Sequence, residues 1–170
     1  MSTRDGQRSR VYEAESVVRR IFDRADAGVG RQVELFGSRI TLPTERKFAS
    51  AESVRDYADR VLALNWVRAR WPEAANPITV RVRAGTTAVH YEPDTATLAI
   101  PVHRRDAAWA LRELVVLHEL AHHLEPAGAE LAPHGPEFVG RYLTLVEEIL
   151  GGEAAFVLRT TMAENGVRCA

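Results

Sequence analysis

The stretch H-E-L-A-H-H-L-E-P-A-G-A-E-L-A-P-H-G-P-E-F, His118 to Phe138, contains four of the six histidines of the chain. It begins with two histidines four residues apart inside an apolar run. Residues at this spacing project to the same side of a helix, one turn apart. The pattern therefore predicts that His118 and His122 are nitrogen ligands of one zinc ion.

Glu119 follows the first histidine by one helical step, which places its carboxylate beside the metal rather than on it. Zinc lowers the pKa of a bound water towards about 7 and polarises a carbonyl group. A carboxylate next to such a water is suited to act as a general base. The spacing thus predicts a catalytic role for Glu119.

We expect His134 to be the third ligand, because a loop containing two prolines and a glycine can leave the helix and return to the metal. The rival third ligands are carboxylates: Glu130 in the loop, and Glu147 or Glu148 further along the chain. His123 lies about 100° around the helix from His122 and about 140° from His118, so we exclude it from the ligand set.

Secondary structure is predicted outward from this stretch. Asp106 can cap a helix over Ala107–Leu124 that carries H-E-L-A-H, and Pro136 suits the first turn of a helix through Leu150. Further helices are expected over Val11–Asp26, over Ser50–Trp71 with Ser50 as the N-cap, and over Glu153–Glu164. A hairpin is expected over Val33–Pro43, and strands over Ile78–Arg83, Thr87–Tyr91 and Ala96–Pro101. Helices beside a small sheet make an α+β fold.

Composition limits the kind of protein. With 170 residues, 46% of them hydrophobic, we expect a single domain over residues 1–170, with residues 1–10 flexible. Cys169 is the only cysteine, which excludes a disulfide framework and a cysteine-based zinc ribbon. No segment approaches the length of a membrane span and the net charge is −1. We therefore expect a cytoplasmic protein with neither a membrane nor a nucleic acid as partner.

H-E-L-A-H followed after a loop by H-G-P-E-F resembles the zincin metallopeptidases, specifically the SprT-like type, and is also similar to an actinobacterial family of metallohydrolases. The resemblance covers about residues 88–150. It implies a zincin-like fold with a small, mostly antiparallel sheet and an active-site helix flanked by other helices. It also implies that zinc is bound by His118, His122 and His134, that Glu119 is catalytic, and that the substrate is a peptide or protein.

The chain departs from some relatives in this group. The proteases of DNA–protein crosslinks usually carry a zinc ribbon or another DNA-binding tail, which is missing here, so a repair role is not supported. The metzincin pattern would need Gly and His where Glu125 and Gly128 stand. A gluzincin site would need a carboxylate as third ligand, for which Glu147 or Glu148 would serve.

Other residues are weaker candidates. By resemblance, Leu98–Pro101 would line a cleft that binds an extended substrate as an added strand. His90, Tyr91, His103 and Tyr142 could donate to an oxyanion, although a packing or surface role is the simpler interpretation of each. Glu125, Glu130 and Glu137 could orient a metal-bound imidazole.

The leading hypothesis is a zinc-dependent metallohydrolase, specifically a metallopeptidase that uses zinc-activated water with Glu119 as base. The alternative is a non-catalytic protein in which zinc is structural or regulatory. A carboxylate directly after the first histidine favours chemistry, because a purely structural site has no use for a base there.

Overall fold

The structure is a computed structural model that describes residues 4–84, 88–101 and 111–170. Its helices are α1 (Arg8–Ala27), α2 (Ala51–Leu62), α3 (Asn65–Arg70), α4 (Glu113–His123), α5 (Pro136–Ile149) and α6 (Gly152–Glu164). Its strands are β1 (Gln32–Leu35), β2 (Ser38–Thr41), β3 (Thr79–Arg83), β4 (His90–Glu92) and β5 (Thr97–Pro101). This composition confirms the predicted α+β class.

The described residues form two compact units, one comprising the chain up to Glu45 together with Glu130–Ala170, the other comprising Arg46–Ala129. In the first unit, α6 packs against both α1 and α5. The apolar faces of these helices are fully buried, as at Phe22 and Leu158. Burial of one apolar face of each helix is the main source of helix stability in such a layer.

The predicted hairpin is confirmed in the first unit. Strands β1 and β2 pair antiparallel from Gln32 opposite Thr41 to Leu35 opposite Ser38. The two connecting residues, Phe36 and Gly37, have φ of 49° and 76°. Positive φ at both central positions is the turn geometry that matches the twist of the flanking strands.

The second unit contains a three-stranded sheet in the order β3-β5-β4, in which β5 is parallel to β3 and antiparallel to β4. All five residues of β5 are buried. Leu98 pairs with Val80 on one side and with Tyr91 on the other. Both backbone edges of Leu98 are therefore occupied, and a substrate strand cannot pair with this residue. The prediction that the substrate cleft runs along Leu98–Pro101 is wrong at Leu98.

The helix predicted over Ser50–Trp71 is divided in two. Ser50 caps α2 as expected, with a reciprocal hydrogen-bond pair to Ser53. The backbone at Leu64 is extended, with ψ of 133°. The carbonyl of Leu62 accepts a hydrogen bond from the Arg68 side chain at 3.1 Å, in place of the amide that would bind it in a continuous helix.

The helix that carries H-E-L-A-H begins later than predicted. Arg112 is extended, with φ of −112° and ψ of 146°, and forms an antiparallel bridge with Lys47. The amide of Phe48 donates to the carbonyl of Leu111 at 2.8 Å. Leu111 and Arg112 are thus paired with the segment before α2, and Arg112 takes part in α4 only as its N-cap, whose carbonyl accepts from the amide of Val116 at 3.0 Å. The proposed cap Asp106 and Ala107–Ala110 lie outside the described residues.

Within the residues that the structure describes, no helix is long and apolar enough to cross a membrane.

Candidate metal centre

Helix α4 carries the first three predicted site residues. His118 and Glu119 are only 2% and 3% exposed, and His122 is half-buried. The rings of His118 and His122 lie one turn apart with centroids 5.0 Å from each other and planes inclined by 67°. The spacing of the motif therefore places both imidazoles on one side of the helix, as predicted.

The start of α4 is anchored by a buried carboxylate, Glu113, which is 0% exposed. The Tyr57 hydroxyl donates to Oε1 of Glu113 at 2.6 Å, the Arg46 guanidinium donates to the same oxygen at 2.7 Å, and the Arg46 amide donates to Oε2 at 2.9 Å. A buried charge needs such compensation. These contacts fix the first turn of α4 within the second unit, one turn before His118.

His134 lies just before α5, with Gly135 as the N-cap and Pro136 at the first helical position. Its side chain is buried between two aromatic rings, with centroids 5.2 Å from Tyr12 and 5.1 Å from Phe138. A Cβ atom on Gly135 would lie 3.1 Å from the carbonyl oxygen of Ala132, which explains a glycine at this position. The turn of the loop and the two rings together hold the imidazole in place.

Two residues near the start of the chain also hold His134. Nδ1 of His134 lies 2.7 Å from Oδ2 of Asp5. The Gln7 side-chain amide donates to the backbone carbonyl of His134 at 3.0 Å. Gln7 is itself only 3% exposed. Neither residue is predicted from the sequence, in which the candidate partners of a ligand are the nearby carboxylates Glu125, Glu130 and Glu137.

The three predicted ligands are close together. His118, His122 and His134 each offer a ring nitrogen, and these atoms all lie within 4.8 Å of one another. Two nitrogens bound to one tetrahedral zinc at about 2.1 Å each would lie roughly 3.4 Å apart. Three imidazoles are also the donor set that suits zinc. The residues present therefore fit a zinc ion.

The rival third ligands are not part of this group among the described residues. Glu130, Glu147 and Glu148 are all exposed to solvent. The structure thus places His134, and none of these carboxylates, with the histidines of α4.

His123 is separated from the group, although it follows His122 directly. Its Nε2 atom lies 3.0 Å from the carbonyl oxygen of Asn76 and its Nδ1 atom lies 2.8 Å from the Tyr91 hydroxyl. Since a carbonyl only accepts, Nε2 carries the proton and Nδ1 accepts from Tyr91. Burial lowers the pKa of His123 below its ordinary value, which favours this neutral form.

The residues considered as oxyanion donors are occupied elsewhere. The Tyr91 hydroxyl is bonded to His123, and its pKa is raised by burial. Tyr142 is hydrogen-bonded to Glu15, and burial raises its pKa well above the ordinary value. His90 lies on the surface of the sheet between Arg83 at 2.8 Å and Glu92 at 3.2 Å. His103 lies outside the described residues.

Comparison of the chain with protein-family models, with curated proteins and with solved structures found no match in any of the three. The resemblance to zincins therefore rests on the motifs themselves.

Proposed function

We propose that this chain is a zinc-dependent metallohydrolase, and more specifically a metallopeptidase. The observation that carries the proposal is the group formed by His118, His122 and His134, whose ring nitrogens lie within 4.8 Å of one another. A carboxylate, Glu119, stands next to the first of them on α4. Three protein ligands leave one position of a tetrahedral zinc for water or substrate, which is typical of catalytic rather than structural sites.

When bound, the zinc ion would supply Lewis-acid chemistry, acidifying a water molecule and polarising the substrate carbonyl. Glu119 would take a proton from the attacking water as its oxygen forms a bond to the carbonyl carbon. Glu119 would then deliver that proton to the leaving nitrogen as the C–N bond breaks. The low exposure of Glu119, 3%, would limit competition from bulk solvent for this proton.

The surroundings of the three histidines support a role in which their rings are held still. α4 is anchored at its first turn through Glu113, and His134 is packed between Tyr12 and Phe138. Fixed ligands reduce the conformational entropy that metal binding costs.

Glu119→Gln tests the proposal. The substitution removes the base and leaves the imidazoles intact, so the variant should bind zinc as the wild type does while hydrolysis falls by about 100-fold or more. The assay uses the zinc-loaded chain with an unfolded protein and with a mixed peptide library, and products are identified by mass spectrometry. Glu148→Gln is the matched control, since Glu148 is exposed on α5. It should have unchanged activity.

Two results would contradict the proposal. Full activity of Glu119→Gln would remove Glu119 from the reaction. A wild-type chain that binds zinc but cleaves none of the substrates would favour a structural or regulatory metal.

A further inference from the structure

The segment Asp5–Gln7, which we call the N-terminal clasp, contacts His134 at two points. Asp5 contacts the imidazole through Oδ2 at 2.7 Å from Nδ1, while Gln7 donates to the backbone carbonyl at 3.0 Å. His134 follows these residues by more than a hundred positions, and all of them belong to the same compact unit. The N-terminal clasp therefore contacts both the side chain and the backbone of a candidate ligand.

The contact with Asp5 determines which nitrogen of His134 is available. An ionised carboxylate only accepts hydrogen bonds, so Nδ1 of His134 must carry the proton that it donates to Asp5. The lone pair of the neutral ring then lies on Nε2, which is itself a buried atom. Without Asp5, the proton of a neutral imidazole can occupy either nitrogen, and part of the population would present the wrong one to a metal.

Gln7 fixes the position of the clasp. Its Oε1 atom accepts from the amide of Arg168 at 2.7 Å, and its Nε2 atom donates to the Arg168 carbonyl at 3.2 Å. Both ends of the side-chain amide are thus bonded to the same backbone residue. The amide is held in a single orientation, and the donor to the His134 carbonyl is fixed with it.

We propose that Asp5 is a positioning residue of the metal centre, which orients His134 and fixes its tautomer so that Nε2 faces the ion. This inference rests on the proposed function, because it assumes that His134 binds zinc. Asp5 is the carboxylate of a carboxylate–histidine–metal arrangement, in which the partner of the ligand raises its basicity. The side chain of Asp5 is 22% exposed, so its replacement should leave the core intact.

The first test is zinc affinity, measured for the full chain by competition with a chelator of known affinity. Asp5→Ala should weaken zinc binding about 10- to 100-fold. Asp5→Asn should weaken it less, because the amide oxygen still accepts from Nδ1–H. Glu13→Gln is the matched control, since it removes one carboxylate charge from the exposed face of α1. It should bind zinc with unchanged affinity.

The second test reports on the ring itself and needs neither metal nor activity. Nitrogen NMR of the metal-free chain, at a pH where imidazoles are neutral, should show His134 protonated at Nδ1 in the wild type. Asp5→Ala should shift the population towards the Nε2–H form. If Asp5→Ala only lowered the stability of the chain, His134 would remain protonated at Nδ1.

Unchanged zinc affinity in Asp5→Ala, or a wild-type His134 protonated at Nε2, would overturn the role of Asp5. A wild-type chain that binds no stoichiometric zinc would overturn the proposed function too. The two failures are distinguishable, because the second is seen in the zinc content of the wild-type chain, whereas the role of Asp5 can fail in a chain that binds stoichiometric zinc.

Discussion

The hydroxyl of Tyr91 lies 2.8 Å from Nδ1 of His123 and donates a hydrogen bond to that nitrogen. The other ring nitrogen donates to the carbonyl of Asn76. Two adjacent histidines on α4 therefore have different surroundings. The ring of His123 is tied to the sheet through Tyr91, whereas the ring of His122 is grouped with His118 and His134.

This difference predicts the zinc content of single alanine variants after dialysis. His134→Ala should lose most of its metal, because one of the three proposed ligands is removed. His123→Ala should keep its zinc, although its stability should fall by about 1–3 kcal/mol as the Tyr91 hydroxyl and the Asn76 carbonyl lose their partner. Zinc is measured by atomic absorption, and stability by urea unfolding. Retention of zinc by His134→Ala together with its loss from His123→Ala would reverse the ligand assignment.

Removal of zinc should lower the melting temperature without unfolding the chain. A ligand present at a hundred times its Kd stabilises the folded state by about 2.7 kcal/mol. For a chain of this size, that corresponds to a loss of roughly 5–10 °C on chelation. Circular dichroism with and without EDTA measures the melting temperature and the helical signal at 25 °C. His118→Ala is the control in which EDTA should have no effect. Collapse of the helical signal at 25 °C would indicate a structural zinc instead.

Stability should depend on Tyr57 at alkaline pH. Burial raises the pKa of Tyr57, and the adjacent Glu113 carboxylate raises it further. The folded state therefore keeps a proton that the unfolded state releases above about pH 10. This contribution to stability is complete below that pH and is lost as the pH rises past it.

Tyr57→Phe checks this dependence. Between about pH 9 and pH 11, its free energy of unfolding should fall less steeply than that of the wild type. Some slope will remain, because burial also raises the pKa of Tyr91 and Tyr142. Identical slopes for the two proteins would contradict the raised pKa of Tyr57, and with it the burial of its hydroxyl beside the Glu113 carboxylate.

The parts of the fold that depend on local sequence could be predicted. Ser50 is predicted as a cap, Val33–Pro43 as a hairpin and Pro136 as a helix start, and each is confirmed. The errors arise where distant residues compete for the backbone. The apolar spacing runs through Leu64 without a break, and nothing local indicates that Arg112 will pair with Lys47 instead of joining the helix.

The candidate site also contains residues that the local sequence predicts and a residue that it does not predict. The spacing of His118 and His122 predicts that their rings lie together, and the His-Gly-Pro turn correctly indicated His134 as the third member of the group. Asp5 could not be found in this way. It is separated from His134 by 129 positions, and it lies in a polar segment that composition alone marks as a flexible end. Only the three-dimensional contact identifies it.

X-ray absorption spectroscopy of the purified zinc-loaded chain tests the central claim most directly, because it counts and identifies the atoms around the metal. We predict one zinc per chain with three imidazole nitrogens at about 2.0–2.1 Å and at least one further oxygen from water. His134→Ala should remove one imidazole from this set. A chain without stoichiometric zinc, or a zinc with four protein ligands and no water, would contradict the account.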